Sequence, residues 1–142
     1  MDFMQIDGRC YCGRLSYTAK IDPGTVLICH CTDCQSLSGS AFRTLAFAED
    51  GTFVLSGVPR VYVKTNDCGS RRQLYFCPEC GTPICSSNLG EGPKAYAIRV
   101  GTIRQRAELT PRSQIWSRSS QPWVTDLAAI PTFPMAAPAD GD

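Results

Sequence analysis

The sequence predicts an all-β fold, arranged as a sandwich or as an open, strongly twisted pair of sheets. Short strand-like segments recur at near-regular spacing, and turns that carry Gly, Pro, Asn or Asp separate most of them. The one longer helical pattern lies between Trp123 and Ile130, where Pro131 would end it. With 142 residues, 43% of them apolar or aromatic, the chain can form one domain with a buried core.

The strands follow from residue patterns, taken in chain order. Apolar side chains alternate with polar ones from Leu15 to Ile21, which is the period of a strand with one buried face. A second strand is predicted over residues 26–31, and residues 32–38 leave room for about two helical turns before Gly39. Further strands are predicted over residues 42–48, 52–55, 60–65, 71–76, 82–87 and 94–102.

The domain is expected to extend over residues 1–133. After Phe133 the chain carries little that could be buried, and Pro131, Pro134 and Pro138 interrupt any regular structure. Residues 134–142 are therefore expected to form a flexible C-terminal tail.

Charge and hydropathy exclude several classes of protein. The 14 basic and 13 acidic side chains give a net charge of +1, which provides no overall field to attract nucleic acid. Apolar runs are far shorter than the roughly 18 residues that span a bilayer, and Asp2 and Asp7 stand where a signal peptide carries bases. We expect a cytoplasmic protein with no nucleic-acid partner and no membrane association, whose oligomeric state does not follow from the sequence.

Nine cysteines are the most informative residues of the chain. Their share lies below the roughly 8 to 10% of secreted disulfide scaffolds, and their number is odd. In a reducing compartment, clustered thiols usually bind metal. Seven of the nine fall into three groups, which are Cys10 with Cys12, Cys29 with Cys31 and Cys34, and Cys77 with Cys80.

The first and last groups together predict one structural zinc site. Cys77-x-x-Cys80-Gly81 is typical of a zinc knuckle, whose backbone turns sharply after the second cysteine. Cys10-x-Cys12-Gly13 is the natural second pair. A zinc ion with four such ligands would cross-link distant strands, and structural zinc contributes on the order of 10 kcal/mol to folding in small domains. The alternative is a set of reduced core cysteines without metal.

The middle group predicts a second zinc site of a different kind. Cys29, Cys31 and Cys34 supply three thiolates from one short segment, and three protein ligands with an open fourth position are typical of catalytic zinc. His30 is a weaker candidate for the fourth ligand, because adjacent side chains of an extended segment point to opposite faces. Its other interpretation is a role beside the metal ligands or toward the substrate.

Two cysteines stand apart from these groups and are further candidates for the fourth ligand. Cys85 lies on the strand that follows the knuckle, and its alternative interpretation is a small core residue. Cys68 lies in a predicted turn, and its alternative interpretation is an exposed thiol.

Three segments carry a resemblance to a known family. They are residues 8–17 (GRCYCGRLSY), 29–42 (CHCTDCQSLSGSAF) and 76–82 (FCPECGT), and residues 111–123 add a similar ending. With these motifs the chain resembles the glutathione-dependent formaldehyde-activating enzyme family over about residues 8–133.

The resemblance implies a β-tent fold and two zinc ions per chain. A structural zinc would bind Cys10, Cys12, Cys77 and Cys80, and a second, labile zinc would bind Cys29, Cys31 and Cys34. The implied reaction is the reversible addition of glutathione, or a related small thiol, to formaldehyde, which makes the protein a carbon-sulfur lyase. The candidate catalytic residues are Cys29, Cys31 and Cys34, to which the position of His30 inside this group adds His30 as a candidate proton carrier.

Two other functions would use the same residues differently. A scavenger would bind zinc or formaldehyde at the second site without turnover. A non-catalytic zinc-binding interaction module, as in family members that act through binding, would use a basic surface, although basic residues on a strand are more commonly a solvated face. The candidates for that surface are Arg9, Arg14, Arg71 and Arg72, or Arg99, Arg104 and Arg106.

Overall fold

The computed structural model describes residues 2–138, which form ten strands, one short α-helix and several single turns of 3-10 helix. The helix is α1 (Thr32–Ser38). The strands are β1 (Met4–Arg9), β2 (Ser16–Ile21), β3 (Leu27–Cys29), β4 (Arg43–Phe47), β5 (Val54–Ser56), β6 (Arg60–Thr65), β7 (Arg71–Phe76), β8 (Pro83–Asn88), β9 (Ala97–Arg99) and β10 (Ser113–Ile115). The predicted all-β class is confirmed.

Two sheets of unequal size make up the fold. The small sheet has the order β1-β2-β5, and the large sheet has the order β10-β3-β4-β9-β8-β7-β6. All neighbouring strands are antiparallel except β10, which pairs in parallel with β3. The small sheet packs on one face of the large one, because the buried side chains of both belong to one cluster.

This shared core explains the alternation in β2. Tyr17, Ala19 and Ile21 are buried, whereas the residues between them are exposed. They pack with Ile84 and Ile98 of the large sheet. Burial of one such isoleucine contributes about 1.5 to 3 kcal/mol relative to leaving it in water.

The register of the large sheet separates its two faces. Directly opposed residues of neighbouring strands share a face, and so do residues two apart along a strand. Ala46, Ile98 and Cys85 therefore face the core. We call the other face the site face, and the register places on it Cys29, Arg43, Leu45, Arg99, Ala97, Ser86, Leu74, Arg72, Tyr62 and Lys64.

Strands β1 and β10 are the elements that the sequence does not predict. In β1 only Ile6 and Gly8 are fully buried, and a side chain at Gly8 would collide with the Tyr17 ring. The missing side chain removes the apolar alternation that identifies a strand. Strand β10 is three residues long and exposed, so it also carries no pattern.

Two other predicted elements need correction. The helical pattern between Trp123 and Ile130 forms 3-10 helix over Val124–Ala129, and the backbone of Asp126 inside it is not helical. The strand predicted over residues 94–102 is reduced to β9, because the chain turns into 3-10 helix at Val100–Thr102.

The predicted tail is described in part. Residues 134–138 are exposed and lie outside the regular elements, whereas residues 139–142 lie outside the described part of the chain. The boundary at residue 133 and the flexibility of residues 134–142 therefore stay predictions. Among residues 2–138 there is no helix long and apolar enough to cross a membrane.

Candidate metal centres

Four cysteines from two distant parts of the chain converge in one place. Cys10 and Cys12 follow β1, and Cys77 and Cys80 follow β7. Their four Sγ atoms lie within 4.8 Å of one another, with 3.6 Å between Cys10 and Cys12 and 3.7 Å between Cys12 and Cys77. A tetrahedral zinc with bonds of about 2.3 Å requires sulfur atoms about 3.8 Å apart. The donor set of this four-cysteine cluster therefore fits zinc.

Two glycine turns give the cluster its shape, as the sequence predicts. Gly13 and Gly81 have φ values of 84° and 79°, a left-handed conformation that a side chain would strain. The Gly13 amide donates to the Cys10 carbonyl over 3.2 Å, and the Gly81 amide donates to the Cys77 carbonyl over 2.9 Å. Each pair of cysteines is thus held by a local turn.

Further hydrogen bonds join the two turns and stabilise thiolates. The Tyr11 amide donates to Thr82 Oγ1 over 3.1 Å, which connects the first turn to the second. The Leu15 amide lies 3.3 Å from Cys10 Sγ. Hydrogen bonding to Thr82, whose hydroxyl lies 3.1 Å from Cys80 Sγ, lowers the pKa of Cys80 to about 5. Because the thiolate is the form that binds metal, these contacts favour metal binding.

The second cluster is built from one continuous segment. Cys29 ends β3, Cys31 caps the N-terminus of α1, and Cys34 lies in its first turn. Their Sγ atoms lie within 4.8 Å of one another. The Cys34 amide donates to Cys31 Sγ over 3.3 Å, and Gly39 ends the helix with a φ of 65°. These three cysteines form the three-cysteine cluster.

The three thiols differ in exposure and in acidity. Cys29 and Cys34 are buried, and burial raises the pKa of Cys34 to about 12 although Arg43 opposes it. Burial also acts to raise the pKa of Cys31, but hydrogen bonds from Cys34 and the charge of Lys64 outweigh it and lower that pKa. Cys31 is only half-buried. It is therefore the accessible and most acidic thiol of this cluster.

A cavity of about 580 Å³ opens at Cys31. Lys64, Arg72 and Trp116 line it, and Asp33 forms an ion pair of 2.8 Å with Lys64 at its edge. Trp116 is half-exposed and has a φ of 57°. Non-glycine residues adopt this left-handed backbone conformation at a cost of about 1 to 3 kcal/mol. The three-cysteine cluster is thus open to small molecules on one side.

His30 lies behind the three-cysteine cluster and is not among its clustered donors. Its side chain is fully buried, Nε2 lies 2.7 Å from Gln114 Oε1, and the ring of Phe42 packs edge-on. Its backbone is also held, since the amide donates to the Ile115 carbonyl and the carbonyl accepts from the Gln35 side chain. His30 thus joins the segment that carries Cys29 and Cys31 to β10 and α1, and its role as a proton carrier stays a prediction.

The two remaining cysteines are separate from both clusters. Cys85 is buried in the core on the opposite face of the large sheet, where burial raises its pKa to about 12. Cys68 is exposed beside Ser70 at the rim of the cavity that Cys31 lines. The core residue and the exposed thiol are thus the interpretations that the structure supports.

The sequence does not predict that arginines gather beside the three-cysteine cluster. Arg43, Arg72 and Arg99 lie on the site face and line one cavity with Cys34. From the sequence, Arg72 and Arg99 are candidates only for the basic surface of an interaction module, with a solvated strand face as the alternative, and Arg43 is not singled out. Only the strand register shows that these arginines share a face, and the register depends on pairing between distant strands that the sequence does not reveal.

An all-β fold with two cysteine clusters, one of four thiols and one of three thiols beside a cavity, defines a class of proteins whose clusters could hold metal ions in different ligand sets. The family model described as "Glutathione-dependent formaldehyde-activating enzyme" matches residues 5–119. The chain belongs to this family, and the resemblance seen in the motifs is confirmed.

The fold has a solved counterpart. A structural-genomics crystal structure of a Rhodobacter sphaeroides protein superposes with a TM-score of 0.57 at 16% identity, covering 76% of this chain and 98% of that one. At this identity the likeness shows the fold alone. Among curated proteins, no match to this chain was found.

Proposed function

We propose that the protein is a zinc-dependent carbon-sulfur lyase or synthase that acts on a small thiol and an aldehyde. The preferred reaction is the addition of glutathione to formaldehyde to give S-hydroxymethylglutathione, or the formation of a related adduct. The observation that carries this proposal is the three-cysteine cluster, whose half-buried Cys31 opens on a cavity. Membership of the glutathione-dependent formaldehyde-activating enzyme family supports the substrate class.

The four-cysteine cluster is proposed to hold a structural zinc. Its ligands come from distant positions, since Cys12 and Cys77 are 65 residues apart, and a backbone turn holds each pair. A metal there would join the small sheet to the end of β7. The expected consequence is stabilisation of the whole fold rather than chemistry.

Cys29, Cys31 and Cys34 are proposed to hold the second zinc and to present it to the cavity. When bound there, zinc would lower the pKa of a substrate thiol and keep it nucleophilic. Two neighbouring groups prepare Cys31 as a ligand. The Cys34 amide donates a hydrogen bond that orients Cys31 Sγ, and the charge of Lys64 stabilises the Cys31 thiolate.

The reaction conserves atoms and charge without a further reactant. The substrate sulfur forms a bond to the aldehyde carbon, the carbonyl electron pair moves to oxygen, and the proton lost by the thiol ends on the new hydroxyl. Cleavage reverses these steps. We propose that His30 assists this transfer, and its hydrogen bonds with Gln114 and Gln35 also suit it to hold the segment of Cys29 and Cys31 in position.

Exchange NMR on equilibrium mixtures of glutathione, formaldehyde and their adduct tests this function. The zinc-loaded protein should accelerate exchange, and Cys31→Ser should reduce the rate to the uncatalysed value. Ser36→Ala, a change at an exposed position of α1, is the matched control and should leave the rate unchanged. His30→Gln should slow the reaction without abolishing it. An uncatalysed rate with the zinc-loaded protein, for glutathione and for other cellular thiols, would overturn the proposal.

A non-catalytic interaction module of the same family is the second candidate. It is favoured by a groove of about 830 Å³ beside the four-cysteine cluster, lined by Arg9, Arg104 and Arg106. Tyr11 is 88% exposed at its edge. This groove is larger than the cavity at Cys31, but none of the three clustered thiols lines it, so we assign chemistry to the smaller cavity.

A further inference from the structure

Three arginines are brought next to the three-cysteine cluster by strand register. Arg43 on β4 lies opposite Cys29 on β3, and Arg99 on β9 lies opposite Leu45, two residues along β4. Arg72 on β7 shares their face. All three line a cavity of about 180 Å³ that also contains Cys34. The three arginines thus line a space that also borders one of the clustered thiols.

The hydrogen bonds of these arginines leave most of their donors unused. Arg72 Nη2 donates to Ser86 Oγ over 3.1 Å, and Arg99 Nη1 donates to the same hydroxyl over 3.4 Å and to the Ala97 carbonyl over 3.3 Å. Arg99 is only 8% exposed, and its Nε has no partner within the described residues. An arginine carries five N–H donors, and a buried donor without a partner is costly.

Among residues 2–138 no carboxylate forms an ion pair with any of the three arginines, and the one carboxylate that lines their cavity, Asp33, is paired with Lys64. The other ion pair among residues 2–138 joins Arg104 to Asp7. Burial of its guanidinium, followed by the charge of Arg43, lowers the pKa of Arg99 to about 9. A zinc ion with three thiolates carries one net negative charge. Two positive charges would therefore remain beside a metal-loaded cluster.

A second cavity of about 310 Å³ shares four lining residues with the first. Arg43 and Arg99 line both cavities, and Leu37 and Leu74 line both as well. The combination of apolar walls with a few converging polar groups is typical of small-molecule sites. Arginine pairs well with carboxylates because its planar fork matches two carboxylate oxygens.

We propose that Arg43, Arg72 and Arg99 form a carboxylate-binding pocket that selects thiols bearing a carboxylate and orients the thiol toward the three-cysteine cluster. That the ligand is the substrate rests on the proposed function, whereas carboxylate binding itself does not. The competing explanation is that the arginines only neutralise the clustered thiolates. In that case, replacing the arginines would leave the affinity for a carboxylate ligand unchanged.

Three related ligands separate the contribution of the thiol to binding from that of the carboxylates. Glutathione carries a thiol and two carboxylates, S-methylglutathione keeps the carboxylates without a free thiol, and glutathione diethyl ester keeps the thiol without a free carboxylate. Isothermal titration calorimetry on the zinc-loaded protein measures the dissociation constant of each. S-methylglutathione should bind, and the diethyl ester should bind at least about tenfold more weakly than glutathione.

Paired arginine variants locate the pocket. Arg72→Gln should weaken binding of glutathione and of S-methylglutathione about tenfold. Arg71→Gln is the matched control, because Arg71 is the exposed neighbour on the opposite face of β7, and it should leave both constants unchanged. Arg43→Gln should act as Arg72→Gln does, and it replaces Arg99→Gln, whose buried position endangers folding.

The outcomes distinguish this pocket from the proposed reaction. If Arg72→Gln and Arg43→Gln bind S-methylglutathione as the unchanged protein does, or if the diethyl ester binds as tightly as glutathione, the pocket is overturned. If S-methylglutathione binds through these arginines but thiol-formaldehyde exchange stays uncatalysed, the pocket stands as a carboxylate site and only the proposed reaction fails.

Discussion

The two cysteine clusters use the same donor atom but receive it from the chain in different ways. The four-cysteine cluster gathers Cys10, Cys12, Cys77 and Cys80 from turns that are distant in sequence and gives each pair its own glycine. The three-cysteine cluster takes its thiols from residues 29–34 and opens on a cavity. The difference teaches that a cluster which closes a long loop suits stability, whereas a local cluster suits exchange of ligands and chemistry.

The largest expected effect comes from removing one ligand of each cluster. Cys77→Ser should unfold the domain, because it breaks a cross-link between distant strands whose zinc contributes on the order of 10 kcal/mol. That amount is comparable to the whole stability of a typical domain, about 5 to 15 kcal/mol. Cys31→Ser should leave a folded protein with the second metal lost. Thermal melts followed by circular dichroism compare the two variants. A larger drop in melting temperature for Cys31→Ser would mean that the structural and catalytic roles of the two clusters are reversed.

Thiol labelling should rank the cysteines by exposure and acidity. With both metals bound, iodoacetamide at pH 8 should modify Cys68 first, because it is exposed and hydrogen bonding to Ser70 lowers its pKa. Cys85 should resist modification until the protein unfolds, because burial raises its pKa to about 12. After removal of the accessible metal, Cys31 should become the second site of labelling. Peptide mass spectrometry over time measures the order.

The order of labelling contains its own control. The cysteines of the four-cysteine cluster should stay unmodified both before and after removal of the metal at the three-cysteine cluster. Labelling of Cys12 or Cys80 before Cys31 would show that the four-cysteine cluster is the more labile of the two.

The smallest expected effect concerns an ion pair beside the four-cysteine cluster. Arg104 and Gln105 donate to the Asp7 carboxylate, and the hydrogen bond from Arg104 holds its pKa below the usual range. A depressed carboxyl pKa adds stability above the ordinary value near pH 4 and loses it as the pH falls through the folded value. Because the pair is exposed, Asp7→Asn should lower the melting temperature at pH 7 by at most about 3 °C.

A pH series checks the sign of this effect. The difference between Asp7→Asn and the unchanged protein should shrink as the pH falls below about 4. Asp50→Asn is the matched control, because Asp50 is exposed and forms no ion pair among the described residues. A difference that grows toward low pH, or an equal effect of Asp50→Asn, would contradict the assignment.

Local chemistry explains what the sequence predicts well. The cysteine pairs, Gly13 and Gly81 depend on spacing within a few residues, and the structure places both glycines in the left-handed turns that the motif requires. Strand β2 is equally local, since its alternation records one buried face. These features need no knowledge of the neighbouring strands.

The remaining features depend on pairing between distant segments. Strand β1 has no alternation, because Gly8 makes room for the Tyr17 ring of the next strand. The arginine pocket arises only when β4, β9, β8 and β7 align, and nothing near Arg43 in the chain indicates that Arg72 and Arg99 will share its face. A residue's face depends on register, and a shift of one position would move all three side chains to the other side.

The contrast between the clusters is tested most directly by metal analysis after mild chelation. Purified zinc-loaded protein is incubated with a chelator of intermediate affinity, separated from it by gel filtration, and analysed for zinc per chain, with circular dichroism recorded on the same sample. The account predicts that one zinc is lost while the other and the β-sheet spectrum are retained. Loss of both ions together with the fold intact, or equal retention of both at every chelator concentration, would contradict it.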